Sequence, residues 1–127
     1  MGIKKDTTLN SSKPITQHLQ PTLPTALWVE AHLRNLTAAA IFYTVVQKGN
    51  HASGLVMLKL NGMRGQVKLL MQERNFENGA LEWISAFKEE TVEESKADDY
   101  IRRACDRDPD LWVIEIEDPA MNNPFIS

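Results

Sequence analysis

The run "GLVMLKLNGMRGQVKLLMQ", Gly54 to Gln72, constrains this chain more than any other segment. It holds two stretches of β-forming residues on either side of a turn with two glycines. A short connection across Met63 and Arg64 predicts a hairpin in which Asn61 faces Gln66, Leu60 faces Val67 and Lys59 faces Lys68. Val56, Leu58, Leu60, Val67, Leu69 and Met71 then share a wholly apolar face. Leu55, Met57, Lys59, Asn61, Gln66, Lys68, Leu70 and Gln72 share a mixed one. A slip of one residue would expose the apolar set, so the pattern favours this register. It also leaves Leu55, Met57 and Leu70 exposed.

The neighbouring segments supply the partners of this hairpin. "IFYTVVQK" reads as a preceding strand, joined through the longer loop "GNHAS" to form a first hairpin. "ALEWISAF" reads as a fourth strand. "LWVIEIED" reads as a fifth, with Trp112, Ile114 and Ile116 on one side and Val113, Glu115 and Glu117 on the other. Two helices complete the set. Thr25 is the expected N-cap of the first, whose Ala26, Val29, Leu33, Leu36 and Ala40 make one apolar stripe, with Trp28 off it. Thr91 and Glu94 form a capping box for the second, which buries Ala97, Tyr100, Ile101, Ala104 and Cys105. On its exposed side Asp98–Arg102 and Asp99–Arg103 are i, i+4 pairs, and Pro109 ends the helix at or before Asp108.

The order is therefore α-β-β-β-β-α-β. It predicts a two-layer α+β domain: a mainly antiparallel five-stranded sheet with two helices on its apolar face. The 127 residues suit one domain. Residues 1–24, polar and carrying Pro14, Pro21 and Pro24, are expected to be a flexible tail. The domain spans 25–118, and 119–127 form a second tail whose Phe125 and Ile126 are able to dock on the body.

No apolar run approaches the roughly 18 residues of a membrane span, and no apolar stretch follows Lys4 and Lys5 as a secretory signal requires. Cys105 is the only cysteine, which suits a reducing compartment, so a cytoplasmic protein is expected. The net charge of −3 conceals an asymmetry. Up to Gln72, eight Lys or Arg face Asp6 and Glu30 for a net of +6; from Glu73 onward six face fifteen acids for a net of −9. Such a split marks either a polyanion contact on the basic side or two halves that neutralise each other.

Two candidate sites emerge. Glu115, Glu117 and Asp118 would offer carboxylates for Mg²⁺ or for acid–base work, in a metal-dependent hydrolase. The plainer reading is a solvated strand end whose charges discourage edge-to-edge aggregation. Lys59 and Lys68, opposed on one face, would repel each other unless a polyanion or a neighbouring acid such as Glu82 or Glu115 relieved them. With Lys48 and Arg64 they make the candidate nucleic-acid surface, although that face lacks aromatic stacking residues. His18, His32 and His51 do not stand at metal-ligand spacing, and Cys105 on an apolar stripe reads as an inert thiol. No motif names a cofactor or a reaction.

"AHLRN", "VVQKGNHASGLVMLKLNG" and above all "DPDLWVIEIED" resemble a small alphaproteobacterial family known only as domain of unknown function fourteen ninety-one. The resemblance covers roughly Ala26 to Asp118 and implies a bacterial cytoplasmic protein of about this size. It supplies no activity, ligand or catalytic residue. The family pattern has an acidic residue after the glycine of the first hairpin loop, where this chain has Asn50, which puts a metal-binding loop in doubt. The expectation is a non-enzymatic module that contacts a protein partner or a second copy of itself. The nucleic-acid surface and the hydrolase are the alternatives.

Overall fold

A computed structural model describes residues 23–126; the expected N-terminal tail lies outside them except for its last two residues. The elements run α1 (Thr25–Ala38), β1 (Tyr43–Gln47), β2 (Val56–Asn61), β3 (Gln66–Arg74), β4 (Leu81–Ser85), β5 (Val92–Glu93), α2 (Glu94–Arg107) and β6 (Trp112–Glu117). The α+β class, the two helices and the mostly antiparallel sheet are as expected. The sheet has six strands, because the two residues of β5 pair with the start of β3. Among the described residues no helix is long and apolar enough to cross a membrane.

The order across the sheet is β1-β6-β2-β3-β4. The first hairpin is thus not a hairpin. β6 enters between β1 and β2, antiparallel to the former and parallel to the latter. The loop "GNHASG" arches over the start of β6, where Asp110 O accepts the Asn50 N–H at 2.9 Å and Asn50 O accepts Trp112 Nε1–H at 2.9 Å. Both flanking glycines are required by this approach. A Cβ on Gly49 would lie 2.3 Å from Asp110 O, and one on Gly54 would lie 2.1 Å from it.

The register of β2 with β3 is one residue away from the expected one. Lys59 pairs with Leu69, Leu60 with Lys68, and Asn61 with Val67. Gly62 N–H reaches Gln66 O at 3.2 Å, leaving a three-residue loop, Met63 to Gly65, in which Met63 and Gly65 have φ of 68° and 81°. The expected register assumed one covered face, and the sheet has two. Val56, Leu58, Leu60, Trp112, Ile114 and Ile116 pack under Ala26, Val29, Leu33 and Leu36 of α1. Met57, Leu69 and Val113 on the reverse side pack under Ile101 and Ala104 of α2. The helices therefore cover opposite faces, making three layers where two were expected. All six residues of β2 are buried, including Met57, while Leu55 and Leu70 are half-buried. A strand covered on both sides carries no face signal to set its register.

The helix ends also differ from expectation. Thr25 is the first residue of α1, not its cap. Its N–H and that of Ala26 donate to Ala52 O and His51 O, so the loop over β6 supplies the caps. At the other end Ala40 takes φ 61°, and Ile41 N–H reaches Leu36 O at 2.9 Å, a Schellman closure with alanine where glycine is usual. The capping box at Thr91 does not form. Val92 and Glu93 join the sheet, α2 starts at Glu94 with no side-chain cap, and Gly65 O accepts the Glu94 N–H. Residues beyond β6 fold back, and Phe125 is buried against Trp28, His32 and Trp83, the docking that its apolar side chain allowed.

Candidate functional site

The α2 side of the sheet brings together the chain's one concentrated polar cluster among the described residues. Alternation along β2 sends Lys59 and Asn61 toward α2. The parallel pairing of β2 with β6 sets Glu115 beside Lys59. Glu94 and Asp98, one turn apart at the start of α2, descend onto them. Lys59 Nζ lies 2.7 Å from Glu94 Oε2, 2.8 Å from Asp98 Oδ1 and 3.5 Å from Glu115 Oε1, with its side chain 5% exposed. Asn61 Nδ2 donates to Glu115 Oε2 at 2.8 Å and to Glu94 Oε2 at 3.4 Å, and its Oδ1 accepts the Met63 N–H.

Burial is the largest single influence on the Lys59 ammonium and by itself would lower its pKa. The bonds to Asp98 and Glu94, with the charges of Glu115 and Asp98, outweigh burial and raise it above the usual 10.5. An amine in this state stays protonated at neutral pH. It lacks the lowered pKa that a nucleophilic or Schiff-base lysine needs. Its role is to fasten the start of α2 onto the sheet.

The four candidate basic residues do not form one surface. Lys59 faces α2 and spends its charge on the cluster. Lys68, opposite Leu60, faces the other way and pairs with Glu90 at 3.2 Å. Lys48 follows the end of β1 that abuts the start of β6, whereas Arg64 tips the β2–β3 turn at the far end of the sheet. The Lys59–Lys68 repulsion dissolves with the register, and Glu115 is among the acids that neutralise Lys59. The acidic set separates as well. Glu115 belongs to the lysine cluster, and Asp118 uses both carboxylate oxygens on the Ala120 and Asn122 N–H groups of a turn. Glu117 points to the α2 side two residues beyond Glu115, partly buried. Among the described residues no three His, Cys, Asp or Glu side chains are placed to hold a metal ion.

Nothing in the sequence pattern alone marks Glu94 and Asp98 as site residues. The pattern assigns Glu94 to the capping box and Asp98 to Arg102; Arg102 instead pairs with Asp99 at 2.9 Å. Their spacing beside Ala97 and Ile101 points two acids at the sheet, and only the fold puts a buried cation there. Asn50 is similarly structural. Its Oδ1 accepts from Ala52 N–H and Ser53 N–H, bracing the loop over β6. Cys105 is half-buried, and burial together with the charges of Asp106 and Asp108 pushes its thiol pKa up, so it stays protonated.

An exposed apolar run lies elsewhere, on β1 and the residue before it. Among the described residues this strand ends the sheet, and Phe42, Val45 and Val46 are exposed along it, Phe42 by 76%. The strand is firmly held from within: Gln47 Nε2 donates to Leu111 O at 2.7 Å and Asp108 O at 3.3 Å. No charged residue stands between Phe42 and Gln47. Because Phe42 O accepts the Glu117 N–H, the alternation of the ladder turns the backbone groups of Tyr43 and Val45 outward.

A family model described as "Protein of unknown function (DUF1491)" matches residues 23–126. The crystal structure of a DUF1491 family protein from Caulobacter crescentus CB15 is similar at a TM-score of 0.71 and 31% identity, covering 84% of this chain and 96% of that one. The NMR structure of a DUF1491 family protein from the same organism gives 0.71 and 30%, over 83% and 94%. The solution structure of protein Atu0922 from A. tumefaciens shares the fold at a TM-score of 0.61 and 24% identity, over 76% and 86%. No curated protein matches the chain.

Proposed function

The chain belongs to the DUF1491 family, whose function is unknown, and we propose that it works as a non-enzymatic interaction module whose contact is the free edge of β1. One observation carries this reading: an uncharged edge strand with exposed Phe42, Val45 and Val46 and outward backbone groups at Tyr43 and Val45. Edge strands in isolated proteins are normally guarded by lysine, proline or a covering segment, because an open ladder recruits another strand. Among the described residues a bulge near Val46 is the only such device on β1. The mode is strand addition, in which backbone bonds supply affinity and alternate side chains supply selection.

The partner that fits without further assumption is a second copy of this chain. A two-fold axis at Thr44 pairs Tyr43 with the partner's Val45, the two residues whose backbone groups point outward, and sets Phe42 against the partner's Val46. A nucleic-acid surface on Lys48, Lys59, Arg64 and Lys68 has no comparable support, since those residues lie on different faces and ends of the sheet. Nor has a hydrolytic centre at Glu115, Glu117 and Asp118, two of which are committed to structural bonds.

Light scattering of the full chain over a wide concentration range tests the proposal. A dimer is expected, and Val46→Lys and Val45→Pro, which charge the edge or remove one outward N–H, should return it to monomer with the fold intact by circular dichroism. A monomer at every concentration, or a dimer indifferent to both changes, overturns it.

A further inference from the structure

At the opposite edge of the sheet from β1, a cavity of about 530 Å³ opens between the start of α1, the loop over β6 and the strands β3 and β4. Its size falls in the range of small-molecule sites. Two rows run along its floor, set by the register of β3 with β4: Gln72 beside Trp83, and Arg74 beside Leu81. The β3 row is polar and the β4 row apolar. Trp28 and Phe125 face these rows, with ring centroids 5.4 Å apart, and Phe125 also meets Trp83 edge-on at 6.4 Å.

The polar row has unused donors. Gln72 is only 6% exposed; its Oε1 accepts the Val56 N–H at 2.9 Å, and its Nε2 donates to no group among the described residues. Gln72 lines the cavity, so these amide hydrogens are within reach of an acceptor bound there. Among the described residues Arg74 is the only charged side chain in the wall. It donates through Nη1 to Gly79 O, makes no ion pair with a described carboxylate, and keeps further guanidinium donors free. A single cation and a free amide on one side, with aromatic rings on the other, select a molecule that is apolar along its body and anionic at one end.

We infer that this cavity binds a small amphipathic carboxylic acid, its carboxylate on Arg74 and the Gln72 amide and its apolar body against Trp83, Trp28 and Phe125. Gln72 and Arg74 point the same way from β3, about 7 Å apart along the strand, a span that two long side chains close around one carboxylate. The inference is independent of the β1 contact, which lies on the other edge of the sheet.

The test titrates the full chain with octanoate and with 1-naphthylacetate, each beside its own uncharged primary amide, and reads binding by saturation-transfer NMR and tryptophan fluorescence. Saturable binding of at least one acid is expected, with its amide weaker. Arg74→Gln should weaken the acid by about tenfold and leave the amide unchanged, as loss of one charge-assisted contact implies. Leu81→Glu, which puts a like charge beside Arg74 at the mouth, should weaken the acid as well. Failure of both acids to bind, equal binding of acid and amide, or acid binding that survives Arg74→Gln unchanged each overturns the inference.

Discussion

Lys59 Nζ stands 2.7 Å from Glu94 Oε2, joining the middle of a buried strand to the first turn of the helix that covers it. Asp98 and Glu115 complete the cluster, so three carboxylates share one ammonium. Removing the cation should therefore cost more than removing any one acid. Lys59→Met is expected to destabilise the protein by about 2–3 kcal/mol, below the usual cost of breaking a fully buried pair because Glu94 and Asp98 remain partly hydrated. Urea denaturation measures it, and a loss no larger than that of Glu94→Gln would contradict the arrangement.

The same cluster predicts an alkaline dependence. The folded-state pKa of Lys59 lies above its unfolded value, so its contribution is whole below about pH 10.5 and is lost as pH climbs through the raised value. Stability of the wild type should fall in alkaline urea melts more steeply than that of Lys59→Met. Parallel curves would mean that Lys59 is not held by its acids.

The loop over β6 depends on close backbone approach. Gly54→Ala places a Cβ 2.1 Å from the Asp110 carbonyl, where backbone has to move, and should cost about 2–3 kcal/mol. Gly65→Ala meets no neighbour but has φ 81°, and should cost about 1 kcal/mol from backbone strain alone. Thermal denaturation of the pair separates crowding from strain; equal losses would argue against the packing of the loop on Asp110.

Ala40 closes α1 in a left-handed conformation that disfavours any side chain. Ala40→Gly removes that strain at the expense of a more flexible unfolded chain, and the balance should raise stability by about 0.5–1 kcal/mol. A destabilised variant would show that the closure at Ile41 is not as described.

Much of the local structure was legible in the residues. The apolar stripe of α1 placed Ala26, Val29, Leu33 and Leu36 in the core, Pro109 marked the end of α2, and alternation in β6 separated Trp112, Ile114 and Ile116 from Glu115 and Glu117. The family signature was legible too, and the structure joins two of its parts: "GNHASG" is bonded to the Asp110–Trp112 stretch of "DPDLWVIEIED". The open edge was not legible. Sequence pattern pointed to Leu55, Met57 and Leu70 as exposed, while Phe42 and Val46 looked like ordinary strand residues.

By itself the sequence determined which segments are helices and which are the long strands, because 3.6- and 2-residue periodicities are properties of a segment alone, while contacts with distant residues set where the helices start. Tertiary structure decided which strands are neighbours, the register of β2 with β3, and the number of layers. Alternation states that a residue is covered, not by what. In a strand covered on both faces even that signal disappears. Thus Lys59, which seemed to face Lys68 across an open sheet, lies beneath α2 among three acids. Only the insertion of β6 beside β2 and the seating of α2 bring those acids together, and both depend on contacts between residues distant in the chain.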